Sequence, residues 1–288
     1  MMEETPGPFA TSNGLAVFRF GDGEPLLFMP YPHGLGVVGR PRTMALLRTL
    51  AGLDRTLVTF DPPASGRSTR PARLGMEEML ACAEEALDVC EIGGPVDVLG
   101  HSQGGVAALA LAVEHPQRVR RLLLVATASG GPTFLRSQGA IWNRSHPRFW
   151  RFALLASLQM AWPGRGAETL MNNLIFRESF VDRRLFAPDP IVPRDWFRPR
   201  RPRTAWSRRV AWRLDYRCVL ETVRAPTLVL AGRFDPQMPL GCSEELARRI
   251  PLSELVVFER SGHYPFIEEP AAFSVAVTRF LGRQESQR

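Results

Sequence analysis

A short apolar run that leads directly into a glycine-flanked serine constrains this chain more than any other feature. Val96–Leu99 is typical of a buried strand, and the alanine- and leucine-rich stretch Gln103–Glu114 is typical of a helix. Between them lies Gly100-His101-Ser102-Gln103-Gly104. A serine in so sharp a strand-to-helix turn takes strained dihedral angles, and glycine on both sides lets strand and helix approach each other. The pattern predicts a nucleophile at Ser102 in preference to an ordinary helix N-cap.

Strand and helix patterns alternate on both sides of this turn. The strand patterns are Leu15–Phe20, Pro25–Met29, Arg55–Phe60, Val119–Thr127, Thr227–Ala231 and Leu255–Phe258, and further helix patterns are Met76–Ile92, Ser243–Ile250 and Pro270–Leu281. Gly21-Asp22-Gly23-Glu24, between the first two strands, is a hairpin signal. The alternation predicts an α/β fold with a mostly parallel, doubly wound sheet covered by helices.

The alternation stops between Gly131 and about Thr222, which predicts an insertion. We expect a core of residues 1–130 and 223–288 and a helical lid of residues 131–222. The tryptophans all fall within this lid: Trp142, Trp150, Trp162, Trp196, Trp206 and Trp212. They predict an apolar ceiling over Ser102, although aromatic residues that merely bury the lid against the core would give the same pattern.

The lid also carries a basic stretch. Nine arginines lie between Arg194 and Arg217. Exposed charge runs usually form a solvated surface, but arginine also pairs bidentately with carboxylates and phosphates. The alternative to a solvated face is therefore a docking site for an anionic substrate or an acidic carrier.

Composition argues against several classes of function. The formal charge is +7, but all 36 basic residues are arginine and no nucleic-acid-binding motif accompanies them, so we expect no nucleic-acid partner. No apolar stretch approaches the roughly 18 residues of a membrane span, and the polar amino terminus lacks signal-peptide features, so we expect no membrane association and a cytoplasmic location. The four cysteines form no C-x-x-C pair and have no histidine nearby at zinc-ligand spacing, which predicts free thiols and no metal site. We also expect no cofactor.

A serine nucleophile needs an imidazole base and a carboxylate behind it. His263 follows the last predicted strand, and Asp235 follows Thr227–Ala231, so both are expected at the carboxyl-terminal edge of the sheet. Asp61 and Asp97 are the rival acids. The remaining histidines are expected to be structural or exposed: His33, His101, His115 and His146, with His101 packed away from the serine.

Two backbone N–H groups are expected to form an oxyanion hole. One belongs to Gln103, directly after the nucleophile, and the other to Leu35 in Tyr31-Pro32-His33-Gly34-Leu35-Gly36, which follows the second strand. The residues expected to shape the substrate site are His33, Gly34, Trp142, Phe234 and Tyr264.

Five segments together resemble the α/β-hydrolase superfamily: PHGLG, FDPPASGRS, GHSQGG, AGRFDPQMP and SGHYPFIEEP. DPPASGRS and SGHYPFIEEP are most similar to the proline iminopeptidase-like branch, which also includes esterases and other small-molecule hydrolases. The resemblance implies the chain order Ser102, Asp235, His263 for the triad and hydrolysis of an ester or amide through an acyl-enzyme. Gln103 departs from that branch, which typically carries tryptophan at this position.

The sequence thus predicts a serine hydrolase for a small, bulky and apolar substrate. Fold does not determine chemistry, so a lyase, a cyclase or another cofactor-free enzyme on the same scaffold remains an alternative, as does a non-catalytic ligand receptor. No feature of the sequence bears on the oligomeric state.

Overall fold

The computed structural model describes residues 9–32, 36–37, 40–71, 73, 75–161, 165–189 and 210–282. Within these residues, eight strands form one sheet in the order β1-β2-β4-β3-β5-β6-β7-β8. The strands are β1 Phe9–Ala10, β2 Ala16–Phe20, β3 Glu24–Met29, β4 Arg55–Asp61, β5 Val96–His101, β6 Val119–Val125, β7 Thr227–Gly232 and β8 Ser253–Phe258. The β1–β2 and β2–β4 pairs are antiparallel and the other five pairs are parallel, which confirms the predicted mostly parallel sheet.

Helices cover both faces of the sheet. They are α1 Pro41–Ala51, α2 Met76–Val89, α3 Gln103–Glu114, α4 Gly131–Arg136, α5 Phe149–Ala161, α6 Arg165–Arg177, α7 Leu240–Arg249, α8 Pro265–Glu268 and α9 Pro270–Leu281. Short 3₁₀ turns span Pro116–Arg118, Arg183–Leu185 and Arg217–Thr222. None of the helices in the described ranges is both long and apolar enough to span a lipid bilayer.

The two hydrophobic layers follow from the alternation of side chains along each strand. In β3, Leu27 and Met29 pack in the layer that contains α2 and α3. Leu26 and Phe28 pack in the opposite layer, with residues of α1 and α9. A strand that is buried on both faces has no polar position, and this explains the continuous apolar runs in the sequence.

The predicted hairpin between β2 and β3 is wrong. β2 pairs with β4 in antiparallel register, as in Val17↔Phe60, and β4 in turn pairs in parallel with β3. The glycine-rich turn does reverse the chain, but β4 lies between the two strands that the turn connects. A local turn signal therefore does not identify the neighbouring strand.

Helix α1 is absent from the sequence-based prediction because its buried face includes a charged residue. Proline occupies its first turn, and Met44, Leu46, Leu47 and Leu50 are buried. Arg42 is buried on the same helix, so the apolar periodicity is interrupted where the helix begins.

The two ends of the proposed lid lie next to each other. Gly130 forms an isolated antiparallel bridge with Asp215, Gly131 N–H donates to the Leu214 carbonyl at 2.8 Å, and Tyr216 N–H donates to the Ser129 carbonyl at 2.8 Å. This arrangement suits an insertion that leaves and re-enters the core at one place, and the division of the chain into core and lid stays a prediction.

Candidate active site

Ser102 occupies a strained turn between β5 and α3. Its dihedral angles are φ 57° and ψ −125°, in the left-handed half of conformational space, where a non-glycine residue costs about 1–3 kcal/mol. Two bonds to neighbouring backbone hold this conformation: Ser102 N–H donates to the Val125 carbonyl at 2.9 Å, and Thr127 Oγ1 donates to the Ser102 carbonyl at 2.6 Å. The surrounding sheet therefore supports the strained turn.

The glycines on either side of Ser102 are required by close backbone contacts. A Cβ on Gly100 would lie 2.2 Å from the Gly104 carbonyl oxygen, and a Cβ on Gly104 would lie 2.4 Å from the Met29 carbonyl oxygen. Both obstacles are backbone atoms, which cannot rotate away. Only glycine lets α3 pack this closely on β3 and β5.

Asp235 and His263 form a buried pair. Nδ1 of His263 lies 2.7 Å from Oδ2 of Asp235, and the two residues are 2% and 5% exposed. The other carboxylate oxygen, Oδ1, accepts the N–H groups of Gln237 at 2.7 Å and Met238 at 3.0 Å. Because Asp235 is an acceptor on both sides, the Nδ1–H tautomer of His263 is favoured, which leaves Nε2 available to take a proton.

The backbone of His263 is held from two sides. Its N–H donates to the Ser179 carbonyl at 2.9 Å, and Nε2 of His101 lies 2.9 Å from its carbonyl oxygen, so that nitrogen of His101 must be the donor. Burial lowers the pKa of His101 well below its ordinary value, and the nearby His263 adds to this effect. His101 was expected to pack away from the serine, but it lines the same cavity as Ser102 and supports the His263 backbone.

Several of the predicted site residues line one cavity of about 200 Å³. Ser102, Gln103, His263, Tyr264 and Trp142 all line it. Apolar side chains supply much of the remaining wall, among them Phe28, Phe134, Ile175, Phe176, Trp212 and Met238. The side chains of the proposed nucleophile and base therefore border one largely apolar space.

Phe234 is not part of this cavity. Its side chain is 61% exposed and lines a separate, open depression of about 860 Å³ on the outer face, together with Arg148, Arg183 and Arg184. Phe234 is next to Asp235 in the sequence, but the Phe234 side chain lies on the outer face whereas Asp235 is buried. The predicted contact of Phe234 with the substrate therefore has no support from this cavity and stays a prediction.

Tyr264 is almost fully buried beside the base. Its ring stacks on Phe180 with the centroids 4.6 Å apart, and burial raises its pKa to about 12. The phenol therefore stays protonated over the working range of an imidazole base.

The cavity also has two arginines that the sequence interpretation did not assign to it, Arg40 and Arg42. Arg42 is 6% exposed, its guanidinium lies 4.3 Å from the centre of the Phe176 ring, and it binds Asp189 Oδ2 at 2.6 Å. Arg40 lies 3.8 Å from the same carboxylate oxygen. Two guanidinium groups therefore line this end of the cavity. The only signal in the sequence is a pair of arginines close behind the expected oxyanion loop.

The expected oxyanion loop is only partly described. His33, Gly34 and Leu35 lie outside the described residues. Gln103 begins α3, whose first N–H groups have no acceptor within the helix and so face the site with the positive end of the helix dipole.

The two rival acids, Asp61 and Asp97, make contacts with groups other than His263. Asp61 accepts the N–H groups of Val37 at 2.5 Å and Arg67 at 2.8 Å, and burial raises its pKa to about 6. Asp97 pairs with Arg55 at 3.0 Å and with Arg120 at 2.9 Å. These contacts leave Asp235 as the acid that meets the base.

Two further predictions concern the rest of the chain. Within the described ranges, no group of three or more histidine, cysteine or acidic residues is arranged to hold a metal ion, and the four cysteines are free thiols. Most of the arginine-rich stretch 194–217 lies outside the described residues. Arg217, at its end, pairs with Asp215 at 2.6 Å.

Comparison with known proteins identifies the family of this chain. The family model described as "alpha/beta hydrolase fold" matches residues 31–270. The chain belongs to the α/β-hydrolase family. This α/β hydrolase is 30% identical over 272 residues to a 2-hydroxymuconate semialdehyde hydrolase of Pseudomonas sp. (strain CF600), a match that covers 92% of this chain and 89% of that protein.

Solved structures show the same fold. An α/β fold family hydrolase from Bacillus anthracis str. Sterne superposes with a TM-score of 0.76 at 20% identity, covering 95% of this chain and 98% of that one. An esterase from Exiguobacterium antarcticum superposes with a TM-score of 0.70 at 21% identity, covering 96% and 99%. The predicted α/β-hydrolase fold is confirmed, and the protein is a hydrolase of this family. The relatives named here are not iminopeptidases, so the proline iminopeptidase-like branch stays a prediction.

Proposed function

We propose that this α/β hydrolase is a serine hydrolase that cleaves an ester or amide of a small, apolar substrate through an acyl-enzyme at Ser102. The buried hydrogen bond between Asp235 and His263, at a cavity that Ser102 also lines, is the observation that carries the proposal. A structural serine would need neither an oriented imidazole nor a strained turn.

Each group has one role in the proposed mechanism. His263 Nε2 takes the proton of Ser102 as its Oγ attacks the substrate carbonyl, and Asp235 stabilises the imidazolium that forms. The N–H groups of Gln103 and Leu35 hold the oxyanion. His263 then returns the proton to the leaving group. In the second half of the reaction, His263 takes a proton from water as the water attacks the acyl-enzyme, and the acid is released from Ser102.

The cavity supports a small substrate with an apolar acyl group. A volume of about 200 Å³ is small for a ligand site, and Trp142, Trp212 and Phe176 line it. Burial of an apolar group against these side chains contributes roughly 25 cal/mol per Å² of surface removed from water.

The arginine-lined end of the cavity favours a second candidate. Arg42 and Arg40 would stabilise a substrate carboxylate, because a buried guanidinium binds carboxylates through charge-assisted hydrogen bonds. The Pseudomonas relative is named for a muconate semialdehyde, which is a carboxylate-bearing carbonyl compound. Hydrolysis of a carbon–carbon bond next to a carbonyl group, with the same triad, is therefore the second candidate function.

One substrate panel separates these candidates. We would assay wild type and Ser102→Ala with aryl esters of short, medium and long acyl chains, with prolyl anilide and with 2-hydroxymuconate semialdehyde. Turnover of the aryl esters and a loss of at least about 10³-fold in kcat in Ser102→Ala are expected. Ser145→Ala, which changes an exposed lid serine, is the matched control. Turnover of the semialdehyde alone would favour carbon–carbon hydrolysis, and wild-type rates in Ser102→Ala would overturn both candidates.

A further inference from the structure

One carboxylate connects the lid to the loop that carries the base. Glu268 Oε1 accepts the N–H groups of Val181 at 2.7 Å and Asp182 at 3.3 Å, both in the lid. Its other oxygen, Oε2, accepts the N–H of Gly262 at 2.7 Å, directly before His263. Every one of these partners is a backbone donor, so the site requires an acceptor on both sides.

The same lid segment, residues 179–182, meets the base through further contacts. His263 N–H donates to the Ser179 carbonyl, and Gln237 Nε2 donates to Ser179 Oγ at 2.8 Å. A Cβ on Gly262 would lie 2.3 Å from the Ser179 carbonyl oxygen, so lid and loop are in direct backbone contact. A shift of this lid segment would therefore move the backbone that positions His263.

We propose that Glu268 is a positioning residue that fixes lid segment 179–182 against the His263 loop, so that the base is aligned only when this part of the lid is seated. The kinetic part of the proposal rests on the proposed hydrolysis, because alignment is measured through turnover. The mechanical part does not, because the attachment of the lid is measured without substrate.

Glu268→Gln tests the requirement for a carboxylate. Glutamine has nearly the same shape but carries an NH₂ group on one side, which must face the N–H of either Gly262 or Val181. In either orientation two N–H donors face each other, so the variant loses at least one hydrogen bond although no cavity forms. We expect kcat to fall about 10- to 100-fold, as for a displacement of about 1 Å in a catalytic group, with a smaller change in KM.

Limited trypsin digestion of the native protein measures the lid directly. Arg184 is exposed, with 90% of its side chain accessible, and lies two residues after Asp182. We expect faster cleavage after Arg184 in Glu268→Gln than in wild type. Glu269→Gln is the matched control for digestion. Glu269 accepts hydrogen bonds from Arg260 N–H and Ser261 Oγ in the same loop and makes none to the described part of the lid. Glu259→Gln, on the exposed surface, is the control for kcat.

The outcomes separate the possible roles of Glu268. Lower kcat together with faster cleavage supports the proposal, whether or not the thermal midpoint also falls. Faster cleavage at wild-type kcat overturns it, because the lid would then be attached without aligning the base, and unchanged cleavage overturns it as well. If Glu268→Gln does not fold, Glu268→Asp is the deciding variant, because the shorter carboxylate cannot reach both sides. Wild-type kcat and wild-type cleavage in Glu268→Asp would overturn a positioning role. Failure of both variants to fold would overturn it as well. If wild type hydrolyses none of the panel, the digestion result still tests the attachment of the lid.

Discussion

Replacing Asp235 by asparagine tests how the carboxylate controls the base. The structure determines which way the new amide turns. Oδ1 accepts two backbone N–H groups, from Gln237 and Met238, whereas Oδ2, among the described residues, accepts only the imidazole Nδ1–H of His263. Backbone N–H groups cannot become acceptors, but an imidazole can change its tautomer. The amide oxygen therefore stays with the backbone and the NH₂ group faces His263.

This orientation reverses the tautomer of the base. Nδ1 of His263 would accept a hydrogen bond from the amide, and the imidazole proton would move to Nε2. A protonated Nε2 can no longer take the proton of Ser102. The opposite rotamer would leave two buried N–H groups facing an NH₂ group, at a cost of about 1–3 kcal/mol for each unsatisfied group. We expect kcat to fall about 10⁴-fold, which is about 5 kcal/mol of transition-state stabilisation, the loss typical of this substitution in a Ser-His-Asp triad.

The assay is initial-rate hydrolysis of the best aryl ester over a range of pH. The thermal midpoint should change little, because asparagine keeps the shape and the two backbone bonds of Asp235. Glu259→Gln, an exposed acid paired with Arg233, controls for loss of a negative charge. A kcat/KM for Asp235→Asn within about tenfold of wild type would refute the reasoning.

Two other predictions concern the scaffold. Gly100→Ala should lower the free energy of unfolding by more than about 3 kcal/mol or prevent folding. Gly94→Ala, whose Cβ meets no atom within 4 Å, should change it by less than about 0.5 kcal/mol. Equal effects of the two substitutions in urea titrations would contradict this prediction. Burial raises the pKa of Asp61 from 3.8 to about 6, so its stabilising contribution is present below pH 3.8 and is lost as the pH rises through about 6. Asp61→Asn should therefore remove a decline of about 3 kcal/mol in the free energy of unfolding between about pH 4 and 7, and the same pH slope in both proteins would disprove it.

The fold was largely predictable because its signals are local. Apolar runs such as Thr227–Ala231 are long enough to be strands that helices cover on both faces. The pairing of β2 with β4 was not predictable in this way, because β4 follows β3 in the chain and sheet order depends on tertiary packing. Helix α1 was missed because Arg42 lies on its buried face, where its guanidinium is stabilised by Phe176 and Asp189, which are far away in the sequence and belong to the proposed lid.

The same distinction holds for the site. Asp235 and His263 could be named because each follows a strand of the sheet, and the carboxyl ends of parallel strands meet at one edge. Phe234 was assigned to the substrate because of its position in the chain, and its side chain lies on the outer surface. The contribution of Glu268 depends on a lid segment more than 80 residues away in the sequence, so no local pattern could indicate it.

Covalent labelling of the nucleophile tests the central claim most directly. Wild type would be incubated with a fluorophosphonate and examined by intact-protein mass spectrometry, followed by peptide mapping. We predict a single adduct per chain on Ser102, no adduct in Ser102→Ala, and much slower labelling in His263→Ala. An adduct on any other residue, or an unlabelled wild-type protein that still turns over an ester, would contradict the proposed mechanism.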